Sequence, residues 1–153
     1  MIWALYTILF IYCLTILTLI YGFTKVNSFE HLGLEPKTKF SIVVPFRNEA
    51  ENLPKLLDSL SKLEYPTDLF EVILVDDFSS EAFQVSSFKF QVLVVNNIRV
   101  SNSPKKDAIS TAMKIAKNDW IITTDADCVV NENWLSALDN YIQLHKVSMI
   151  AGA

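Results

Sequence analysis

Glycine is scarce in this chain. There are three in 153 residues, Gly22, Gly33 and Gly152, and none of them follows an apolar strand-like run. A G-x-G-x-x-G dinucleotide turn and a Walker-type phosphate loop are therefore excluded, since both need glycine where backbone meets phosphate. Cysteine is equally thin: Cys13 and Cys128 lie far apart, which supports neither a disulfide framework nor a zinc site and reads as two small apolar fillers in a reducing compartment. His31 and His145 have no Cys or His at ligand spacing and read as structural or surface residues. Basic excess is missing too. The formal net charge is −4, so no cationic face is available for a nucleic acid.

Charge is also absent from Met1 to Thr24, where Ile, Leu, Phe, Tyr and Trp dominate. As a helix, that stretch reaches about 36 Å at about 1.5 Å per residue, enough for a bilayer core of about 30 Å. Trp3, Tyr6 and Tyr21 suit interfacial anchors. A cleaved signal peptide would want a basic start and a small-x-small cleavage site, and neither is seen. The expectation is a single transmembrane anchor over residues 1–24 and a connector over residues 25–38 containing Gly33 and Pro36. Lys25, Lys37 and Lys39 follow the span, which places the rest of the chain on the cytoplasmic side.

The remainder alternates apolar runs with amphipathic stretches. Phe40–Pro45, Phe70–Val75, Phe90–Val95 and the run from Trp120 read as buried strands, with Val147–Ala153 beginning another. The first should end at Pro45, which cannot donate to a ladder. Leu53, Leu56, Leu57, Leu60 and Leu63 form one helical stripe, opened by an Asn48/Glu51 capping box or by Asn52. Ser79–Ser87 has room for one or two helical turns. Pro104 opens a helix with Ile109, Ala112, Met113 and Ala116 on one face, and another runs through Trp134, Leu135, Leu138 and Ile142, with Trp134 read as core. Strand and helix in alternation predict an α/β fold: a mostly parallel sheet with helices on both faces, over residues 39–153.

In such sheets ligands bind beyond the carboxyl ends of the strands. That edge collects Pro45-Phe-Arg-Asn-Glu49, Asp76-Asp77, Lys105-Lys106 and Asp125-Ala-Asp127. If the backbone stays extended, Asp125 and Asp127 point the same way, and two adjacent carboxylates repel unless a cation separates them. Their hard oxygens suit Mg²⁺ or Mn²⁺. The same pair would also serve as a polar strand end, so its neighbours must decide.

Ile42-Val-Val-Pro-Phe-Arg-Asn-Glu49, Val72-Ile-Leu-Val-Asp-Asp77, Lys106-x-Ala108 and Thr124-Asp-Ala-Asp-Cys128 with Trp134-Leu135 resemble, in that order, the family 2 glycosyltransferases of GT-A fold. The resemblance runs from about Phe40 to Leu138. It implies a membrane-anchored, inverting, metal-dependent transferase that takes a nucleotide-diphosphate sugar. Pro45, Arg47 and Glu49 would line the nucleoside pocket, Asp76 and Asp77 would contact base and ribose, and Lys106 would approach the nucleotide. Asp125 and Asp127 would hold Mn²⁺ or Mg²⁺ on the diphosphate. A lipid or polysaccharide is the acceptor class open to such an enzyme. The run Phe78-Ser-Ser-Glu81 departs from the Gly-Ser that often follows the aspartate pair in this family. The carboxylate general base belongs to the family's second half and is expected beyond Ala153, which leaves a nucleotide-sugar-binding fragment without catalysis as the alternative. A nucleotidyltransferase also uses carboxylates and Mg²⁺ on an α/β sheet, but usually brings a glycine-rich basic loop that this chain lacks.

Overall fold

The computed structural model describes residues 2–25, 29, 32–81 and 88–151. The chain divides into two units, residues 1–30 and 31–153. The first is the helix α1, Ile2–Phe23, with no buried residue and the length and composition of a membrane span. Its threonine hydroxyls turn inward on the helix itself: Thr7 donates to the Trp3 carbonyl at 2.9 Å and Thr15 to that of Ile11 at 2.8 Å. Such bonds remove the cost of carrying polar side chains into an apolar medium.

The second unit is built on four parallel strands: β1 (Phe40–Phe46), β2 (Phe70–Asp76), β3 (Gln91–Asn96) and β4 (Trp120–Thr123). Their spatial order is β3-β2-β1-β4. The connecting helices are α2 (Leu53–Ser61) between β1 and β2, α3 (Pro104–Met113) between β3 and β4, and α4 (Trp134–Leu144) after β4. Alternate residues of each strand go to opposite faces. Phe40, Ile42, Val44, Phe46, Val72 and Leu74 pack with α2 leucines and with Leu135 of α4, and Trp134 packs against that core as expected. Val43, Ile73 and Val75 pack with Ala108 and Ala112 of α3. This is the parallel sheet with helices on both faces that the alternation of elements predicts.

Several expectations need correction. The first strand runs through Pro45 to Phe46. In β1 the even residues hydrogen-bond toward β2, since Asp77 N donates to the Phe46 carbonyl, and Val43 faces β4 by accepting from Thr124 N. Pro45 therefore aims its missing N–H at the β4 side, past the end of β4, where no ladder bond is lost. In α3 the sheet face is Ala108, Thr111 and Ala112, while Met113 is 58% exposed. Small residues let this helix lie close to the sheet, which a face containing Met113 would have prevented. No capping box forms: Asn48 has φ 57° and accepts from Ser80 N at 2.8 Å, while Asn52 occupies the N-cap of α2 without a side-chain capping bond. Residues 147–151 form no strand, and 152 and 153 lie outside the described residues, as do His31 and the 82–87 part of the expected helical turns. Both cysteines are exposed, so Cys128 is not a core filler.

The segment just before β1 is moored to α4. Asn140 Oδ1 accepts from Leu32 N at 2.8 Å, Asp139 Oδ1 accepts from Thr38 N at 2.9 Å, and Gln143 Nε2 donates to the Glu35 carbonyl. Thr38 is held from a second side by the Tyr65 hydroxyl, at 2.6 Å from its carbonyl oxygen. Asp139 and Asn140 are wholly buried by these partners.

The face assignment of α3 is open to test by urea denaturation. Ala112→Leu should cost about 1–3 kcal/mol by overpacking the sheet face, whereas Met113→Ala should stay within about 0.5 kcal/mol of the parent.

Candidate functional site

The carboxyl ends of β1 and β4, with the first turn of α3, enclose a cavity of about 370 Å³. Its lining includes Pro45, Arg47, Glu49, Asp77, Lys105, Asp125 and Asp127. Six of the eight residues expected from the motifs thus meet in one place, at a size within the usual range for small-ligand sites. Asp76 and Lys106 do not line it.

Asp76 and Asp77 are neighbours in sequence but part ways in space. Asp76 Oδ1 accepts from Ser79 N at 2.9 Å and Ser79 Oγ at 2.6 Å, closing a turn beside β2. Asp77 is 92% buried, faces the cavity, and is the most heavily bonded acid there. Its Oδ1 accepts from Asn97 Nδ2 at 2.6 Å and from Arg99 Nε at 2.7 Å, and its Oδ2 accepts from Arg99 Nη2. The hydrogen bonds from Arg99 hold the carboxyl below the usual aspartate range, helped by Asn97 and the Arg47 charge and opposed by burial.

The lysine on the cavity is Lys105. Its Nζ lies 2.6 Å from Asp125 Oδ1, whereas Lys106 is exposed and outside the lining. One residue along a helix is a rotation of about 100°, enough to turn a side chain from the cavity to solvent. The Lys105–Asp125 pair is itself exposed, so little energy holds it closed.

Asp125 and Asp127 are not presented by extended backbone. β4 ends at Thr123, and Cys128 N donates to the Asp125 carbonyl at 3.2 Å, so the motif is a turn. Both aspartates nevertheless line the cavity and are exposed, while Ala126 between them is buried in the core. Burial of Ala126 is what turns its two neighbours outward. Among the described residues no group of three or more His, Cys, Asp or Glu side chains gathers to hold an ion. The donor set fits a hard cation that takes its remaining oxygens from phosphate and water, as Mg²⁺ and Mn²⁺ commonly do.

Arg99, Asn97 and Asp107 escaped the motif reading. Asp107 accepts from Val100 N, Ser101 N and Ser101 Oγ at 2.8–3.0 Å, tying the loop before α3 to that helix. No local pattern marks these residues, because their partners come from other elements.

Residues 41–153 match the model of glycosyl transferase family 2. The chain belongs to that family. Its relatives include the poly(ribitol-phosphate) beta-N-acetylglucosaminyltransferase TarS of Staphylococcus aureus, 28% identical over 110 residues. That alignment covers 70% of this chain and 19% of TarS. Human polypeptide N-acetylgalactosaminyltransferase 10 is 29% identical over 129 residues, covering 81% of this chain and 21% of the relative. The chain thus spans about a fifth of the length of these relatives. Among solved structures, TarS residues 1–349 in complex with UDP-GlcNAc superpose on 71% of this chain, and 32% of that one, with a TM-score of 0.60 and 28% identity. A mannosyltransferase from Pyrobaculum calidifontis, solved with GDP-Man and Mn²⁺, shares the fold at a TM-score of 0.55 and 21% identity, over 72% of this chain and 34% of its own. The GT-A fold implied by the motifs is the one this family 2 chain adopts.

The Asp77 site has a pH consequence. A carboxyl whose pKa is depressed on folding contributes stability that is present above its unfolded pKa and lost as pH falls through the folded value. Thermal unfolding should therefore show the parent losing stability in acid below the ordinary aspartate range. Asp77→Asn should flatten that part of the profile.

Proposed function

We propose that this family 2 chain binds a nucleotide-diphosphate sugar in the cavity at the carboxyl ends of β1 and β4 and acts in glycosyl transfer from it. The observation that carries the reading is the cavity itself, where Arg47, Lys105, Asp77, Asp125 and Asp127 converge on a family 2 fold. Pro45, Arg47 and Glu49 form the wall after β1 and are assigned to the nucleoside. Asp77 is assigned to the base as an acceptor, while Asp76 shapes the turn beside it. Asp125 and Asp127 would hold the divalent cation, Mn²⁺ or Mg²⁺, which when bound neutralises the diphosphate and makes it a better leaving group. Lys105 can exchange its exposed bond to Asp125 for a phosphate oxygen, and Lys106 stands one position away as a second, more distant charge. The nucleotide-sugar complexes of TarS and of the Pyrobaculum enzyme support nucleotide-sugar binding, and the Mn²⁺ of the latter supports use of a divalent metal.

These residues perform the leaving-group half of an inverting transfer. They bind and orient the donor, and their charges stabilise the departing diphosphate. The base that deprotonates the acceptor hydroxyl is not among them. We further propose that α1 anchors the chain in a membrane with the sheet domain on the cytoplasmic side, which suits a lipid or a surface polysaccharide as acceptor.

Full-length protein in detergent should show a raised unfolding temperature with UDP-GlcNAc or GDP-Man when Mn²⁺ or Mg²⁺ is present. A ligand at about a hundred times its dissociation constant adds about 2.7 kcal/mol. The gain should vanish with chelator and in Asp127→Ala; equal stabilisation in either would remove the metal from the reading.

A further inference from the structure

Phe78 adopts φ 59°, a left-handed conformation that costs a bulky residue energy and that glycine takes freely. Core burial does not repay that cost, because the side chain is 62% exposed. What the ring does touch is Arg99, whose guanidinium lies 5.1 Å from the ring centroid. The same guanidinium bonds both oxygens of Asp77. Strain kept without a packing reward, beside a binding cavity, points to a function for the ring.

The loop carrying Arg99 is fixed on both sides. Asn97 N donates to the Asp76 carbonyl at 2.8 Å and Ile98 N to Thr111 Oγ1 at 3.2 Å. Beyond Arg99, the amides of Val100 and Ser101 donate to Asp107. A surface ion pair needs no such mounting. Here the mounting and the Phe78 ring hold one planar cation against one carboxylate. Oδ1 is filled by Asn97 and Arg99, and Oδ2 keeps one acceptor direction beyond its bond to Arg99.

We propose that Arg99, braced by Phe78, is a positioning residue for the nucleotide: it holds the Asp77 carboxylate turned so that Oδ2 offers a single acceptor to an N–H of the bound base. The proposal rests on the nucleotide reading of the cavity, and it gives Arg99 no contact with the reacting atoms. Lysine cannot replace it, because an ammonium cannot hold both oxygens in one plane or stack on the ring.

The test is titration of full-length protein in detergent with UDP and GDP in Mn²⁺, alongside thermal unfolding of each variant. Arg99→Ala should weaken the nucleotide that the parent prefers about tenfold, the scale of one charged hydrogen bond, and Arg99→Lys should fall between it and the parent. Phe78→Gly removes the ring but relieves the strain, so its affinity should drop while its unfolding temperature stays near the parent's. Because Arg99 acts through Asp77, Asp77→Asn and the double variant Asp77→Asn/Arg99→Ala should bind equally. Parent-like binding by Arg99→Ala and Phe78→Gly, tighter binding by Arg99→Ala, or additive losses in the double variant would overturn the proposal and leave the nucleotide reading intact. Failure of the parent to bind either nucleotide would overturn both.

Discussion

The second unit depends on β1 being hydrogen-bonded on both sides and covered on both faces. β2 and β4 pair with it in parallel, α2 and α4 cover one face, and α3 covers the other. A strand so enclosed has to be apolar or internally paired along its length, as Ser41 is by its bond to buried Glu71, and its charged continuation can begin only where the sheet ends. That requirement puts Arg47, Glu49, Asp77 and the turn after β4 at one edge. Parallel pairing matters as much as burial. With antiparallel neighbours, successive carboxyl ends would alternate between the two edges and the acids would be dispersed.

The two central strands, β1 and β2, were legible in the sequence because both their faces are buried, so each reads as a nearly continuous apolar run ended by charge, while the edge strands β3 and β4 are only partly covered. The edge was legible for the same reason, and six of the eight motif residues line one cavity. Rotations about a helix axis were harder to read. Met113 was placed on the sheet face although it is exposed, because in α3 the signal for the sheet is small size rather than hydrophobicity. Asp125 and Asp127 share the cavity for a reason other than the expected one, a turn around buried Ala126 in place of extended backbone. Arg99 was not legible at all. Its partners sit 22 residues back on Asp77 and on a phenylalanine whose unusual φ no propensity would forecast.

The charges at the site are held with very different firmness. Asp77 is buried and takes three hydrogen bonds from Arg99 and Asn97. Lys105 and Asp125 meet in solvent with more than half of each side chain exposed. The first arrangement suits reading an invariant part of a ligand. The second suits groups that exchange partners readily, since little is lost by separating them. Desolvation thus divides the cavity lining into a firmly held end at Asp77 and a yielding end at Lys105 and Asp125.

The mooring of residues 32–38 to α4 bears on where this protein can be cut. Trimming away the apolar helix to obtain a water-soluble form invites a new start just before β1, at Lys39 or Phe40. That choice would strip Asn140 of its bonds to Leu32 and Leu34 and Asp139 of its bond to Thr38. Two enclosed acceptor oxygens, Asn140 Oδ1 and Asp139 Oδ1, would lose their donors, at about 1–3 kcal/mol each if they stay buried, while Asp139 Oδ2 keeps its bond from Gln143. A start ahead of Leu32 keeps these bonds. The seven residues from Leu32 to Thr38 belong to the folded body as much as any strand does.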